Sequence, residues 1–303
     1  MAVLVLAEVD GGRLAPATAR VIAAAAQLGP VDLLVDVGAS AEASSLAGVT
    51  KVLAAQMPET AEALAPALAE RAGAYTHIVA AASAVGRDVI PRLAALLDIM
   101  PVTDVTAILG PATFERPIYA GNATETVSDG QSRHLLTIRA SAFTPAAVSG
   151  GAPVERVELS QSGNTVVAGE ERSESTRPEL TTAQIVVSGG IPLGDRFALV
   201  EDLAEKLGGA VGATRALVDA GHAPNELQVG QTGKIVAPDL YIGIGVSGAL
   251  QHLAGIQGAR TIFAINKDAE APLMKIADVA LVGDLFEAVP AIVAELDKLG
   301  LKR

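Results

Sequence analysis

Short apolar runs alternate with alanine-rich stretches through the first half of the chain. The runs rich in Val, Ile and Leu are residues 2–9, 31–37 and 77–82. The stretches between them that place apolar side chains at helical spacing are residues 16–28, 60–72 and 86–97. This alternation predicts a mostly parallel sheet that is covered by helices on both faces.

The pattern changes between residues 114 and 143, where two longer strands flank a polar turn. The turn is Ser-Asp-Gly-Gln at residues 128–131, a composition typical of the connection in a β-hairpin. We therefore expect an antiparallel pair of strands that extends the first sheet.

A polar stretch at residues 149–178 precedes a second region of alternating elements. The strands predicted there are residues 184–188, 210–213, 240–243, 261–265 and 279–282, and the helices are residues 196–207, 247–253 and 289–299. The sequence thus predicts an α/β fold with two domains. Residues 1–178 form a mostly parallel α/β sheet with an antiparallel extension, and residues 179–303 form a doubly wound parallel sheet.

Composition narrows the classes of function that remain. The 303 residues include no cysteine, which excludes disulfides, thiolate metal sites and a cysteine nucleophile. The net charge of −12 has the wrong sign for a surface that binds nucleic acid or anionic lipid. The first residues lack the basic region of a signal peptide, and no apolar stretch approaches the roughly 20 residues of a membrane helix. We expect a cytoplasmic protein that is not embedded in a membrane.

One G-x-G-x-x-G pattern, formed by Gly243, Gly245 and Gly248, follows a predicted strand and precedes the helix predicted at residues 247–253. Glycines in this context allow the backbone to approach a pyrophosphate, whose charge the start of a helix favours. The alternative is an ordinary turn between a strand and a helix, where glycines are common.

A second cluster of hydrogen-bonding residues occupies the loop before the strand at residues 240–243. Its sequence from Gly230 to Lys234, Gly-Gln-Thr-Gly-Lys, resembles half of a phosphate-binding loop. The first glycine is misplaced, however, and Ile235 stands where a magnesium-binding Ser or Thr is required, so the pattern does not favour an NTPase. The alternative is that Gln and Thr cap the next element.

Several isolated side chains could also face a ligand in the second domain. His252 lies early in a predicted helix, although a single helical histidine is more often structural, and no metal-ligand spacing accompanies it. Arg215 follows a strand, with a salt bridge to Asp219 as the alternative role. Asn266 and Asp268 end another strand, where they could contact a ribose or adenine or form a turn. No Ser/His/Asp arrangement is visible, and we predict neither a catalytic nor a metal-binding residue.

Together these segments closely resemble the alpha subunit of electron transfer flavoprotein. The matching segments are RPELT at 177–181, VVSGG at 186–190, VGATRALVDAG at 211–221, QVGQTGKIVAP at 228–238, SGALQHLAG at 247–255, AINKD at 264–268, GDLF at 283–286 and, in the first half, FERPIYAGNA at 114–123. They occur in order and at the family's spacing across the whole second domain.

The resemblance implies a heterodimer with a beta subunit that holds AMP, and one FAD held mostly by the second domain of this chain. The chain would carry electrons from flavin dehydrogenases, such as acyl-CoA dehydrogenases, to a membrane quinone oxidoreductase. It would not turn over a substrate of its own. The alternative from the residues alone is an NAD(P)- or FAD-dependent oxidoreductase, motivated by the glycine pattern and Asp268, and a third class is a nucleotide-binding regulatory module.

The resemblance also implies which residues bind FAD. Thr214 and Arg215 would lie beside the isoalloxazine, and residues 228–232 would wrap the flavin and ribityl, with the Thr232 hydroxyl facing flavin N5. Residues 247–252 would hold the pyrophosphate and ribityl, with His252 reaching the pyrimidine carbonyl. The full predicted set is Thr214, Arg215, Gln228, Val229, Gly230, Gln231, Thr232, Ser247, Gly248, Ala249, Leu250, Gln251, His252, Asn266, Asp284 and Leu285, the last three at the adenosine end.

The chain departs from the family pattern after Gly190. Ile191 stands where the family usually has an arginine that helps to hold the FAD phosphate, and the loop is about two residues shorter. Two alternatives follow: a lower affinity for FAD, or a partial replacement by Arg196.

Overall fold

The structure, a computed structural model, describes residues 2–161, 163–169 and 177–300. The chain divides into two compact units. The first comprises Met1–Ile118 and Ala123–Arg172, and the second comprises Tyr119–Asn122 and Ser173–Arg303. The domain boundary predicted after residue 178 stays a prediction.

The first unit is built from strands and helices that alternate along the chain. Its strands are β1 Val3–Leu6, β2 Val9–Asp10, β3 Arg13–Leu14, β4 Val31–Asp36, β5 Val49–Ala55, β6 His77–Ala81, β7 Pro101–Val105, β8 Ala107–Gly110, β9 Thr113–Ile118, β10 Ala123–Ser128, β11 His134–Ile138 and β12 Val154–Arg156. Its helices are α1 Pro16–Ala25, α2 Ser40–Ser44, α3 Ala61–Arg71 and α4 Ala84–Leu97.

A seven-stranded sheet in the order β12-β5-β4-β1-β6-β11-β7 forms the centre of this unit, and every neighbouring pair in it is parallel. Successive side chains of a strand point to opposite faces. Accordingly Val3 and Val5 pack into one apolar cluster, whereas Leu4 and Leu6 pack into a second. Both faces of the sheet are therefore buried, as the continuous apolar runs predict.

The predicted hairpin around residues 128–131 is wrong in its pairing. The turn joins β10 to β11, but these strands lie in different sheets. β10 pairs antiparallel with β9, in a separate three-stranded sheet with β8, while β11 pairs in parallel with β6 and β7. The reason is burial: all five residues of β11 are buried, which suits the centre of a parallel sheet, whereas β10 is exposed or half-buried along its length.

Within the described residues, the second unit contains one sheet and five α-helices. Its strands are β13 Ile185–Gly189, β14 Ala210–Ala213, β15 Leu240–Ile244, β16 Thr261–Asn266 and β17 Val279–Val282. Its helices are α5 Ala198–Leu207, α6 Arg215–Asp219, α7 Leu250–Leu253, α8 Pro272–Ile276 and α9 Leu285–Leu299. The sheet has the order β14-β13-β15-β16-β17, and all of its pairs are parallel.

This strand order places a topological switch point between β13 and β15. The chain moves to one side of β13 to form β14 and then to the other side to form β15, so a crevice opens at the carboxyl ends of these strands. Neighbouring residues such as Tyr241 and Ile242 pack into apolar clusters on opposite faces, so helices cover both sides. The predicted α/β fold class is confirmed. None of the described helices combines the length and apolar character needed to cross a membrane.

Candidate functional site

A cavity of about 520 Å³ lies at the switch point of the second unit. Its wall includes Gly190 just after β13, Thr214 just after β14, Gly245 just after β15 and Asn266 at the end of β16. The cavity therefore lies at the carboxyl edge of the parallel sheet, where open α/β sheets bind ligands. Its volume is within the range of about 300 to 1,000 Å³ that is usual for small-molecule and cofactor sites.

Most of the residues predicted to bind FAD line this cavity. They are Thr214, Arg215, Gln228, Val229, Gly230, Gln231, Thr232, Ser247, Gly248, Ala249, Gln251, His252 and Asn266. Three others lie outside its wall. Leu250 is largely exposed, Leu285 is buried in the apolar cluster under α9, and Asp284 caps α9 by accepting a hydrogen bond from the Phe286 amide at 2.8 Å.

The wall also contains residues outside the predicted set, namely Gly190, Ile191, Pro192, Ala216, Asp219, Gly245, Asp268 and Ala271. In the sequence these residues share a position a few residues beyond a strand. That position alone does not distinguish residues of the cavity wall from ordinary turn residues. Ile191 faces the cavity at the position where the resemblance implies an arginine. Arg196 does not line the cavity, and its guanidinium carbon lies 3.1 Å from the centroid of the Phe286 ring.

The helix predicted at residues 247–253 begins later than predicted and is short. Gly245 and Gly248 have φ angles of +65° and +82°, in the left-handed region that a continuing helix excludes. Helix α7 consequently starts at Leu250, and residues 247–249 form a loop along the cavity. The first glycine of the pattern has a packing role, because a Cβ on Gly243 would lie 2.5 Å from Leu273 Cδ2.

The loop from Gln228 to Lys234 is closed on itself by hydrogen bonds. The Gln228 side-chain amide donates to the Thr232 hydroxyl at 2.9 Å, and the Lys234 backbone amide donates to the Gln228 carbonyl at 2.8 Å. The Gln231 amide donates to the Gln251 carbonyl at 2.7 Å, which ties the loop to α7. Lys234 does not line the cavity. The loop therefore resembles a phosphate-binding loop in its sequence but not in its structure. The side chains of Gln228 and Thr232 are hydrogen-bonded to each other beside the cavity.

Two buried polar atoms in the cavity wall lack a hydrogen-bond partner among the residues that the structure describes. They are the Thr214 hydroxyl and His252 Nδ1. Buried polar groups in folded proteins nearly always have a partner, since an unpaired one costs roughly 1 to 3 kcal/mol. A ligand with polar atoms at these two positions would supply the missing partners.

The charged groups of the cavity wall are few. Arg215 and Asp219 form the alternative salt bridge, with Nε 3.2 Å from Oδ2, and both side chains are about two-thirds exposed at 67% and 63%. Such an exposed pair contributes little to stability. Asp268 Oδ1 accepts from the Glu270 amide at 2.9 Å, which is a turn contact. Within the described ranges no group of three His, Asp or Glu side chains could hold a metal ion.

His252 is the buried titratable group of the wall. Its Nε2 lies 2.6 Å from the Tyr241 hydroxyl oxygen. Burial lowers the pKa of His252 to about 4, an effect that the Val229 backbone opposes only in part. Burial raises the pKa of Tyr241, and the Ser188 hydroxyl opposes this rise to a smaller extent. Both side chains are therefore neutral at neutral pH.

The strand order and the place of the cavity define a flavodoxin-like α/β unit with a ligand-sized cavity at its switch point. Comparison with known proteins gives the family. A model described as the electron transfer flavoprotein domain matches residues 3–162, and one described as the electron transfer flavoprotein FAD-binding domain matches residues 179–257. The chain belongs to the electron transfer flavoprotein alpha-subunit family.

Individual relatives match over nearly their whole length. The chain is 50% identical to electron transfer flavoprotein subunit alpha of Paracoccus denitrificans, over 98% of this chain and 100% of the relative. It is 48% identical to the same subunit of Pseudomonas aeruginosa, over 96% and 99%. It is 46% identical to the probable mitochondrial subunit alpha of Caenorhabditis elegans, over 97% and 93%. The resemblance stated from the sequence is confirmed, and the cofactor of the second unit is FAD.

Proposed function

We propose that this chain is the FAD-holding subunit of a heterodimeric electron carrier whose beta subunit holds AMP. The carrier takes electrons from flavin dehydrogenases, acyl-CoA dehydrogenases among them, and delivers them to a membrane quinone oxidoreductase. The observation that carries the proposal is the switch-point cavity with its two partnerless polar atoms, within a domain of the FAD-binding family. A cytoplasmic location remains a prediction of the sequence.

The residues of the cavity suit FAD in chemical character. The Thr214 hydroxyl and His252 Nδ1 offer hydrogen bonds to polar ring atoms. The backbone amides of Ser247, Gly248 and Ala249 donate to no backbone carbonyl of the described chain. Consecutive free amides bind anions, and they therefore suit a pyrophosphate. Because Ile191 stands where an arginine is usual, these backbone amides contribute a larger share of the binding energy of the FAD phosphates in this chain than in a relative with the arginine.

Each titratable side chain of the cavity wall is either engaged with another group of the protein or held neutral by burial. In the part of the chain that the structure describes, its titratable side chains are Arg215, Asp219, His252 and Asp268. Arg215 and Asp219 are paired, and burial keeps His252 neutral. When bound, FAD supplies the electron-transfer chemistry, and the chain binds, orients and shields it. This division of roles is that of a carrier.

Replacing Arg215 with alanine should lower the reduction potential of the bound flavin. A cation beside the ring stabilises the added negative charge, but solvent screens a guanidinium that is 67% exposed. We expect a change of about tenfold or less in the relative affinity for reduced and oxidised FAD, which corresponds to about 30 mV for two electrons. A potentiometric titration measures this shift.

Two variants control the Arg215 experiment. Arg215→Lys retains the charge and should keep most of the potential. Arg260→Ala removes an exposed arginine of the same unit that does not line the cavity, and it should have no effect. An unchanged potential in Arg215→Ala would remove this residue from the proposed role.

The edge strand β17 supports the assignment of a partner chain. Its four residues are all exposed, and they include Val279 at 56%, Leu281 at 39% and Val282 at 57%. Among the described strands it pairs with β16 alone, so its other edge presents backbone groups that no described strand pairs, beside an apolar surface. Exposed apolar edges of this kind are typical of surfaces that another chain covers.

Leu281→Lys should weaken the complex with the beta subunit by roughly tenfold or more, because it would place a charge in a desolvated apolar contact. Isothermal titration of the two subunits measures the change. Leu299→Lys, at a leucine of α9 that is 66% exposed, is the matched control and should leave the affinity unchanged. Equal affinities for both variants would place the partner on another surface.

A further inference from the structure

We propose that Tyr241 is a positioning residue that fixes the proton of neutral His252 on Nδ1, so that the histidine presents a neutral hydrogen-bond donor to the flavin. This inference rests on the proposed binding of FAD in the cavity. It adds a residue that does not line the cavity and that acts through one that does.

The geometry of the pair leaves one short hydrogen bond and one free nitrogen. Tyr241 is fully buried on β15, and His252 is 6% exposed on α7. The Tyr241 hydroxyl oxygen lies 2.6 Å from His252 Nε2, and the ring centroids are 6.0 Å apart. The other ring nitrogen, Nδ1, has no partner among the described residues. His252 makes its one hydrogen bond of normal geometry through Nε2, and the Val229 backbone is the other group that acts on its imidazole. Nδ1 makes no hydrogen bond of normal geometry with the described residues, so it is the nitrogen available to a ligand.

One proton lies between the phenol oxygen and Nε2, and its position decides what Nδ1 can do. If the phenol donates, Nε2 accepts and the imidazole proton is on Nδ1. If Nε2 donates, Nδ1 is a bare acceptor and the phenol proton must find another acceptor. A buried donor without an acceptor costs roughly 1 to 3 kcal/mol, so the surroundings of the phenol distinguish the two tautomers.

The surroundings favour donation by the phenol. The other polar group near the phenol is the Ser188 hydroxyl, which is fully buried. The Ser188 oxygen makes no hydrogen bond of normal geometry in the described chain, so it is a poor acceptor for the phenol proton. Nε2 of His252 is the acceptor at hydrogen-bonding distance, and Nδ1 consequently carries the imidazole proton.

A neutral donor and a cationic donor would act differently on a flavin. Both pair with an acceptor atom of the ring, but only a cation adds a full charge that changes the potential as the histidine titrates. Burial keeps His252 in the neutral form over this range, because it lowers the pKa of the imidazole to about 4. The potential of the bound flavin should therefore not change through titration of His252 between about pH 5 and pH 8.

The direct test is nitrogen NMR of the purified heterodimer with ¹⁵N-labelled histidine in this chain. The sequence contains four histidines, and loss of one signal set in His252→Gln assigns the residue. We expect a protonated, pyrrole-type signal for Nδ1 and an unprotonated, pyridine-type signal for Nε2, both unchanged from pH 8 to about pH 5. A protonated Nε2 with a bare Nδ1, or a doubly protonated ring at pH 7, would overturn the proposal.

A variant separates positioning from packing. Tyr241→Phe keeps the ring but removes the hydroxyl, so the imidazole of His252 should no longer favour the tautomer with its proton on Nδ1. The affinity for reduced flavin relative to oxidised flavin should fall by about three- to tenfold. Tyr75→Phe is the matched control, because it removes a phenol that donates to Asp32 at 2.9 Å in the first unit. This control should alter neither the nitrogen signals of His252 nor the potential of the flavin. Unchanged tautomer and potential in Tyr241→Phe would show that Tyr241 only fills space.

The binding of FAD by this chain and the positioning of His252 by Tyr241 can be disproved independently. If the heterodimer purifies with FAD and His252 has the other tautomer, the proposed function stands and the positioning role is wrong. If it purifies without flavin and cannot bind added FAD, the proposed function is wrong, and the tautomer of His252 in the ligand-free protein still tests the pairing with Tyr241.

Discussion

Gly248→Ala should abolish FAD binding and lower the free energy of unfolding of the second unit by roughly 2 to 5 kcal/mol. Gly248 has a φ angle of +82°, which disfavours a side chain by about 1 to 2 kcal/mol. An added Cβ would also overlap the Leu273 backbone nitrogen and lie 2.8 Å from Leu273 Cβ, and overpacking of this kind typically costs about 1 to 3 kcal/mol. The loop would have to move away from the cavity. Urea unfolding and the flavin content after purification measure the two effects.

Substitutions at two other glycines of the second unit distinguish backbone strain from steric overlap as causes of the instability of Gly248→Ala. Gly221 has a φ angle of +79° with nothing within 4 Å of an added Cβ, so Gly221→Ala should show the backbone strain alone, about 1 to 2 kcal/mol. Gly283 lacks both the left-handed angle and close neighbours, so Gly283→Ala should be nearly neutral and retain full flavin. A Gly248→Ala protein as stable and as yellow as Gly283→Ala would contradict the role of this loop.

Acid should destabilise the second unit through His252. The folded state lowers its pKa from 6.5 to about 4, so the unfolded state binds the proton more tightly. Stability from this group is complete above about pH 6.5 and is lost as the pH falls toward 4. The expected loss is about 2 kcal/mol by pH 5 and about 3 kcal/mol by pH 4. Urea unfolding of the purified protein from pH 7.5 to pH 5 measures it.

Variants identify the titrating group. His252→Gln can still accept from Tyr241 but does not titrate in this range, so it should reduce the fall in stability between pH 7.5 and pH 5 by about 2 kcal/mol. His77→Gln is the control in the first unit, where burial also lowers the pKa of a histidine. It should change the acid response of that unit and leave the flavin in place. An identical pH dependence for wild type and His252→Gln would contradict the buried, neutral state of His252.

The sequence predicted regular elements best where the apolar pattern was continuous. The bounds predicted for β14 and β17 agree with the structure, because each is a short apolar run between clear breaks. The turn at residues 128–131 predicted the wrong strand pairing because local turn chemistry does not specify which sheet a strand joins. The length predicted for α7 was too great because helical spacing in the sequence does not reveal the left-handed φ angle of Gly248.

The cavity wall was predictable in part because several of its segments follow strand ends, which meet at one edge of a parallel sheet. The resemblance added roles for these residues that spacing alone could not supply. Sequence reasoning missed Ala216, which lies in α6, and Pro192, which follows β13 by three residues. It also missed Tyr241, which has the pattern of an ordinary strand residue, since its contact with His252 depends on the packing of α7 against the sheet.

The most direct test of the central claim is the flavin content and redox behaviour of this chain co-expressed with its beta subunit. The account predicts one FAD for each heterodimer, reduction by an acyl-CoA dehydrogenase with its substrate, reoxidation by a quinone oxidoreductase, and no oxidation of NADH. Gly248→Ala should purify without flavin in the same preparation. A colourless wild-type complex that cannot bind added FAD, or turnover of a substrate by this chain alone, would contradict the account.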